Sequence, residues 1–377
     1  MKIVIAPNSF KNSLNALQVA EAIDKGIKKS NPEAATSLFP IADGGDHTLE
    51  VVVNFFKGEY REVKVEDPLQ RSITAQYGII NNGKIGVIEF TKASGLHLLK
   101  PSEYNPMLAS SYGTGQIIKH CVGRGVEEIW LGVGGSATVE AGAGLLQALG
   151  VSLLDKNRKP IARGAQGLEN VEIIETQNLA REIREIPIKI LSDVENTLLG
   201  INGAARIFGP QKGADKAMVE KLEKIISAYK DKVNKYAGMA IENIEGGGAA
   251  GGIPASLSAF LNVEIVSGAG FILDKMGFTE ALEQAQILIT AEGKIDDQTL
   301  AGKGPAIAAK LAKKAGLAVI GLGGSIPNKL ESELFDVLLA IGRQPETLDE
   351  AMQNTNTNLT RTGYMIGNLL NISNGLA

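Results

Sequence analysis

Cys121 is the single cysteine in 377 residues, so there is no second thiol for an intrachain disulfide or a cysteine-rich zinc site. That fits a reducing, cytoplasmic setting. The pattern Ile117-Ile118-Cys121-Val122 marks this thiol as core filling. Aromatic residues are only 5% of the chain, which leaves the core to aliphatic side chains. A net charge of −4 supplies no general field for nucleic acid or an anionic membrane, so any anion must be held by local groups. No window approaches the roughly 20 apolar residues of a spanning helix. The opening run Met1 to Pro7 also stops before the apolar region of an export signal is complete.

Several motifs are missing as well. No Gly-x-x-x-x-Gly-Lys-Ser/Thr occurs, since Gly293-Lys294 and Gly302-Lys303 lack the following hydroxyl, and the protein-kinase pattern is absent. No Gly-x-Gly-x-x-Gly follows the first strand, which disfavours a dinucleotide oxidoreductase. His47, His97 and His120 have no sequence-local partners with which to build a triad.

Glycine is plentiful. Its 44 copies gather after apolar runs, at Gly44-Gly45, Gly113 with Gly115, Gly134-Gly135, Gly246 to Gly248, Gly251-Gly252, Gly302 with Gly304, and Gly323-Gly324. Glycine between a strand and a helix lets backbone N–H groups converge on an anion. Any one such loop also reads as a tight turn or a close packing contact, and only the set points to a ligand with several anionic oxygens.

The length suggests two domains. Lys2 to Ala6 reads as a buried strand and Asn15 to Lys28 as a helix, with Asn15 and Gln18 spaced as a capping box. A second strand, Ser37 to Ile41, leads to Ala42-Asp43-Gly44-Gly45 and a helix from about Thr48. Glu59 to Phe90 alternates as antiparallel strands, with a hairpin turn at Asn82-Gly83. From Glu127 the βα pattern returns, including a strand into Gly134-Gly135-Ser136 followed by a small-residue helix through Gln147. Thr355 to Thr362 reads as a loose polar turn. The expected fold is α/β: a Rossmann-like parallel-sheet domain from residues 1–64 and 285–377, with a mixed α/β domain, 65–284, inserted.

The candidate chemistry lies at strand ends. Ser9 and Lys11 follow the first strand, and Lys11 suits a phosphate. Asp43 and Asp46 flank Gly44-Gly45, a carboxylate pair that suits Mg²⁺ shared with phosphate oxygens, or a helix cap at Asp46. Asp193 is a candidate general base for a substrate hydroxyl. Glu292 to Asp296 adds a third acidic cluster, and Lys212 and Lys303 stand beside glycines, where they can spread phosphoryl charge or form plain ion pairs.

Taken in order, Ala6 to Lys11, Ala42 to Asp46, Ala93 to Leu96, Ser111 to Gly115, Gly134 to Thr138, Asp193-Val194, Gly203 to Ala205, Gly209 to Ala214, Gly248 to Gly252 and Glu292 to Asp296 resemble the bacterial glycerate kinase family, type 1. The resemblance runs from residue 1 to about 330. It implies ATP-dependent phosphorylation of D-glycerate with Mg²⁺, giving 2-phosphoglycerate, and a Rossmann-like domain paired with a second one that closes on small-molecule substrates. On that expectation Asp193 accepts the 2-hydroxyl proton and Lys11 and Lys212 stabilise the γ-phosphoryl group. Mg²⁺ lies near Asp43 or Asp296, and Ser9, Gly44, Gly45, Gly134, Gly135, Ser136 and Glu292 bind substrate or phosphate. No nucleic-acid or membrane partner is expected, and a homo-oligomer is left open. The chain departs from the family pattern at His47, where glycine is usual, at Glu140-Ala141-Gly142, where Asp-Gly-Gly is usual, and at Thr197 and Ala291. A kinase of another hydroxy acid and a silent nucleotide-binding protein remain the rival readings.

Overall fold

The computed structural model describes residues 1–300, 302–327, 330 and 332–376. In chain order the strands are β1 (Lys2–Ile5), β2 (Ala35–Leu38), β3 (Glu59–Glu66), β4 (Ser72–Ile80), β5 (Ile85–Glu89), β6 (Glu128–Gly132), β7 (Ser152–Leu154), β8 (Ile173–Glu175), β9 (Ile188–Leu191), β10 (Val263–Val266), β11 (Ile287–Lys294), β12 (Ala318–Ser325) and β13 (Val337–Ala340). Contacts divide the chain into Met1–Asp43 with Ala269–Ala377, and Gly44–Gly268. These boundaries differ from the 64/65 and 284/285 read from the sequence. The helix Thr48–Phe55 packs on β4 and β5, so it travels with the second unit.

The first unit is a parallel sheet in the order β13-β12-β11-β1-β2. Its central strands β1 and β11 read as near-continuous apolar runs because both faces are covered. Ile3, Ile5, Ile289 and Leu322 share one core with Val19, Ile23 and Ile27 of the helix Ala16–Ser30 and with Leu359 and Ile366 of the helix Thr355–Leu376. Asn15 and Gln18 form the capping box that starts the first of these helices. The polar stretch expected as a turn, Thr355 to Thr362, lies inside the second. There Thr355 and Thr362 donate their hydroxyls to the carbonyls of Ala351 and Asn358, four residues back. Polar composition thus concealed a helix whose hydroxyls satisfy themselves.

In the second unit a six-stranded sheet runs β10-β9-β6-β5-β4-β3, parallel from β10 to β5 and antiparallel beyond. The hairpin between β4 and β5 turns through Asn81, Asn82 and Gly83, all at positive φ. β7 and β8 form a separate antiparallel pair. The core is aliphatic around Tyr77 and Tyr229, and Cys121 fills it, its thiol pushed up to about 12 by burial and so inert.

Candidate active site

In the first sheet β1 sits between β2 and β11, so connections leave in opposite directions and open a topological switch point at the carboxyl ends of β1 and β11. Two segments singled out from the sequence meet there. The Asn8 N–H donates to the Ala291 carbonyl at 2.7 Å, and a β-carbon at Gly293 would come within 3.5 Å of Phe10 Cα and 3.6 Å of the Lys11 nitrogen. Ser9 is turned by its N–H donating to Asn8 Oδ1 at 2.7 Å. Lys11 is exposed and, among the described residues, makes no ion pair.

The acids of this unit share one electrostatic field. Glu292 Oε2 accepts from the Thr299 hydroxyl at 2.8 Å, and Lys303 Nζ stands 3.7 Å from Oε1. Burial raises the pKa of Glu292 despite these partners, and the charges of Asp296 and Asp43 push it the same way. Asp296 accepts from the Thr299 N–H at 3.3 Å, which starts the short helix Asp297–Leu300, and pairs with Lys294 at 3.0 Å. Thr299 therefore binds both acids to one turn, a role that its sequence position did not announce.

In the second unit the notable cation is Lys212. Only 2% of it is exposed, and its ammonium donates to Ser136 Oγ and the Thr138 carbonyl, both at 2.7 Å. The Phe208 ring lies 5.9 Å away, and among the described residues no carboxylate is paired with it. Burial alone lowers its pKa to about 7. Sequence pattern found the residue beside Gly213 but not its burial, nor its acceptor Thr138.

Asp193 follows β9 and Ser267 follows β10. Because Leu191 and Val266 are paired in parallel register, the residues just beyond them lie side by side, and the Ser267 hydroxyl donates to Asp193 Oδ1 at 2.7 Å. Ser267 was missed from sequence, since a lone serine at a strand end carries little signal.

The glycine loops answer first to packing. Gly44, at φ +90°, lies against the Leu191 carbonyl too closely for a side chain. The Gly134 N–H donates to the Gly44 carbonyl at 2.9 Å, and a β-carbon at Gly134 would lie 2.5 Å from Gly45 Cα. Gly135, at φ +68°, would place its β-carbon 2.6 Å from Thr91. Nor does a helix start at Gly134-Gly135-Ser136 as expected. The chain stays irregular to Gly142, and only Ala143–Leu149 is helical, because Gly135, Ala141 and Gly142 all take positive φ. Asp46 caps nothing either: the helix Thr48–Phe55 begins at His47 without a side-chain cap, and Thr48 Oγ1 accepts from the Gly44 N–H.

Two of the family departures can be placed. His47 and Ala141 both hold left-handed backbone, φ +68° and +51°, where glycine would be unstrained. Glu140 is wholly buried, so its carboxylate is not offered to an acceptor molecule in solution.

A parallel α/β sheet of this kind binds ligands at the carboxyl ends of its strands. The model of the glycerate kinase family matches residues 3–371. A glycerate kinase of Halalkalibacterium halodurans is 41% identical over 93% of both chains, and the glycerate 2-kinase of Escherichia coli is 38% identical over 99% of this chain and 98% of its own. A crystal structure from Salmonella typhimurium LT2, assigned as a glycerate kinase 2, superposes with a TM-score of 0.89 at 37% identity, covering 100% of this chain and 99% of the other. The chain therefore belongs to the glycerate kinase family and is an ATP-dependent kinase of glycerate. Among the described residues no helix is long and apolar enough to cross a membrane.

Proposed function

We propose that the chain transfers the γ-phosphoryl group of ATP to the 2-hydroxyl of D-glycerate, giving 2-phosphoglycerate and ADP. The observation that carries this reading is Lys212, a buried ammonium resting on two neutral acceptors with no carboxylate to neutralise it. In the transfer, the bond between the γ-phosphorus and the β–γ bridging oxygen breaks and the bond from O2 of glycerate to phosphorus forms. Asp193 takes the O2 proton, its carboxylate oriented by the Ser267 hydroxyl. Lys212 offsets the charge spread over the transferring group, an interaction that strengthens in the transition state. The Escherichia coli relative's name, glycerate 2-kinase, supports transfer to the 2-hydroxyl.

In the first unit Lys11 and Ser9 are assigned to nucleotide phosphate, Glu292 to substrate or phosphate, and Asp43 or Asp296 to Mg²⁺; among the described residues no three acids cluster closely enough to hold a metal by themselves. The donor set fits that ion, which binds through one or two carboxylates together with substrate phosphates. Burial chiefly raises Glu292, and the nearby Asp296 and Asp43 charges push it the same way. When bound, Mg²⁺ supplies charge neutralisation at the phosphates. A cytoplasmic location accords with the single unpaired thiol.

The test is ³¹P NMR of the product formed from D-glycerate and ATP. The expected signal is 2-phosphoglycerate alone, whereas 3-phosphoglycerate as the initial product would overturn the regiochemistry. Asp193→Asn is expected to lower kcat by about a hundredfold or more with KM little changed, the signature of an interaction made in the transition state. Unchanged turnover would remove Asp193 from the base role.

A further inference from the structure

Glu140 stands two residues beyond Thr138, whose carbonyl holds the Lys212 ammonium, and it is fully buried. Its Oε1 accepts from the Ser111 N–H at 2.6 Å, the Ser111 hydroxyl at 2.6 Å and the Gly144 N–H at 3.2 Å. Ser111 Oγ in turn accepts from the Leu145 N–H at 2.9 Å. One carboxylate oxygen thus ties the turn before the helix Tyr112–Val122 to the start of the helix Ala143–Leu149.

The other oxygen has no hydrogen-bond partner of good geometry, although the Gly164 backbone helps to hold the charge. Glu140 Oε2, Tyr229 Oη and Ser256 Oγ are all buried without a hydrogen-bond partner. They are neighbours: burial chiefly raises the Tyr229 phenol, the Glu140 charge raises it further, and the Ser256 hydroxyl eases it, though no bond of good geometry forms. Buried polar groups left without partners are the usual company of a buried water. A carboxylate this costly to bury calls for more than packing. Burial raises its pKa to about 6 against those hydrogen bonds.

The segment between Ser136 and Gly144 is pinned on its other side too. The Ala141 N–H donates to the Gly251 carbonyl at 2.8 Å, and Ala250, Gly251 and Gly252 all hold positive φ to lie against it. Only burial lowers the Lys212 pKa, so Glu140 does not act as its counter-ion.

We propose that Glu140 is a positioning residue for Lys212: it clamps residues 136–144 so that the Ser136 hydroxyl and the Thr138 carbonyl stay beneath the ammonium, with a water shared by Tyr229 and Ser256 closing the clamp. The inference rests on the assignment of Lys212 to the transferring phosphoryl group. Misplacing such a group lowers kcat while ground-state binding survives.

The experiment is steady-state kinetics of Glu140→Ala, Glu140→Gln and Lys212→Met, each checked for folding by thermal melting. Glu140→Ala is expected to lower kcat about tenfold or more with both KM values within about threefold, and Glu140→Gln to restore most of it, since its amide oxygen can accept the same N–H groups. Wild-type kcat in Glu140→Ala, a loss confined to KM, or a Glu140→Gln as poor as Glu140→Ala would overturn the inference. Full turnover in Lys212→Met would instead overturn the Lys212 assignment, and this inference with it. If Glu140→Ala does not fold, Ser111→Ala decides: it removes one donor and should lower kcat severalfold at constant KM, while unchanged kcat refutes the clamp. A high-resolution crystal structure should show a water bonded to Glu140, Tyr229 and Ser256, and a dry cluster would refute the shared water.

Discussion

Lys212 is held against its own solvation. Its pKa falls from 10.5 to about 7, so between those values the unfolded chain binds a proton that the native chain does not. Stability therefore rises with pH from 7 towards 10, and below pH 7 the buried cation costs on the order of 5 kcal/mol. Lys212→Met should melt above the wild type at pH 7, with the gap narrowing as the pH rises, while activity is lost. A gap independent of pH would contradict the burial of an unneutralised ammonium. The same physics predicts proton uptake when an anion binds near neutral pH, because the anion restores the charged form. None of this was legible in Pro210-Gln211-Lys212-Gly213, which shows a lysine beside a glycine but not what covers it. Asp193 was legible from its place at a strand end, whereas its partner Ser267 belongs to a strand more than seventy residues away.

Elements were legible where local chemistry and tertiary packing agree. The capping box at Asn15 and Gln18, the alternation of residues 59–90 and the amphipathic helix Lys216–Ala237 follow directly from period and cap. Where tertiary contacts overrode local preference, the reading shifted. Small residues after Gly134 resemble a helix, yet the demands of Lys212 and Glu140 keep the backbone irregular to Gly142. Other glycines serve as helix contacts: a side chain at Gly26 would strike the Thr360 carbonyl, and one at Gly363 the Ile23 carbonyl. Gly363→Ala should therefore destabilise the first unit by about 2 kcal/mol, the usual cost of overpacking, despite alanine's better helix propensity. Guanidinium denaturation measures it, and a stabilised Gly363→Ala would mean that the two helices do not cross so closely.

At the scale of the whole molecule, the joining of the two chain ends into one parallel sheet was readable, because βα patterns with polar strand ends open and close the sequence. The boundaries were less so, since a helix such as Thr48–Phe55 joins whichever sheet its apolar face meets. The chain belongs to a family whose model spans residues 3–371, and curated relatives in that family are glycerate kinases. Of the departures from the family pattern, Glu140 is fully buried and His47 is exposed. The most direct test is ADP release from ATP and Mg²⁺ with a panel of small hydroxy acids. Turnover with D-glycerate far above that with lactate, malate or tartrate is the predicted result. Preference for another acid, or no turnover with any, would contradict the account.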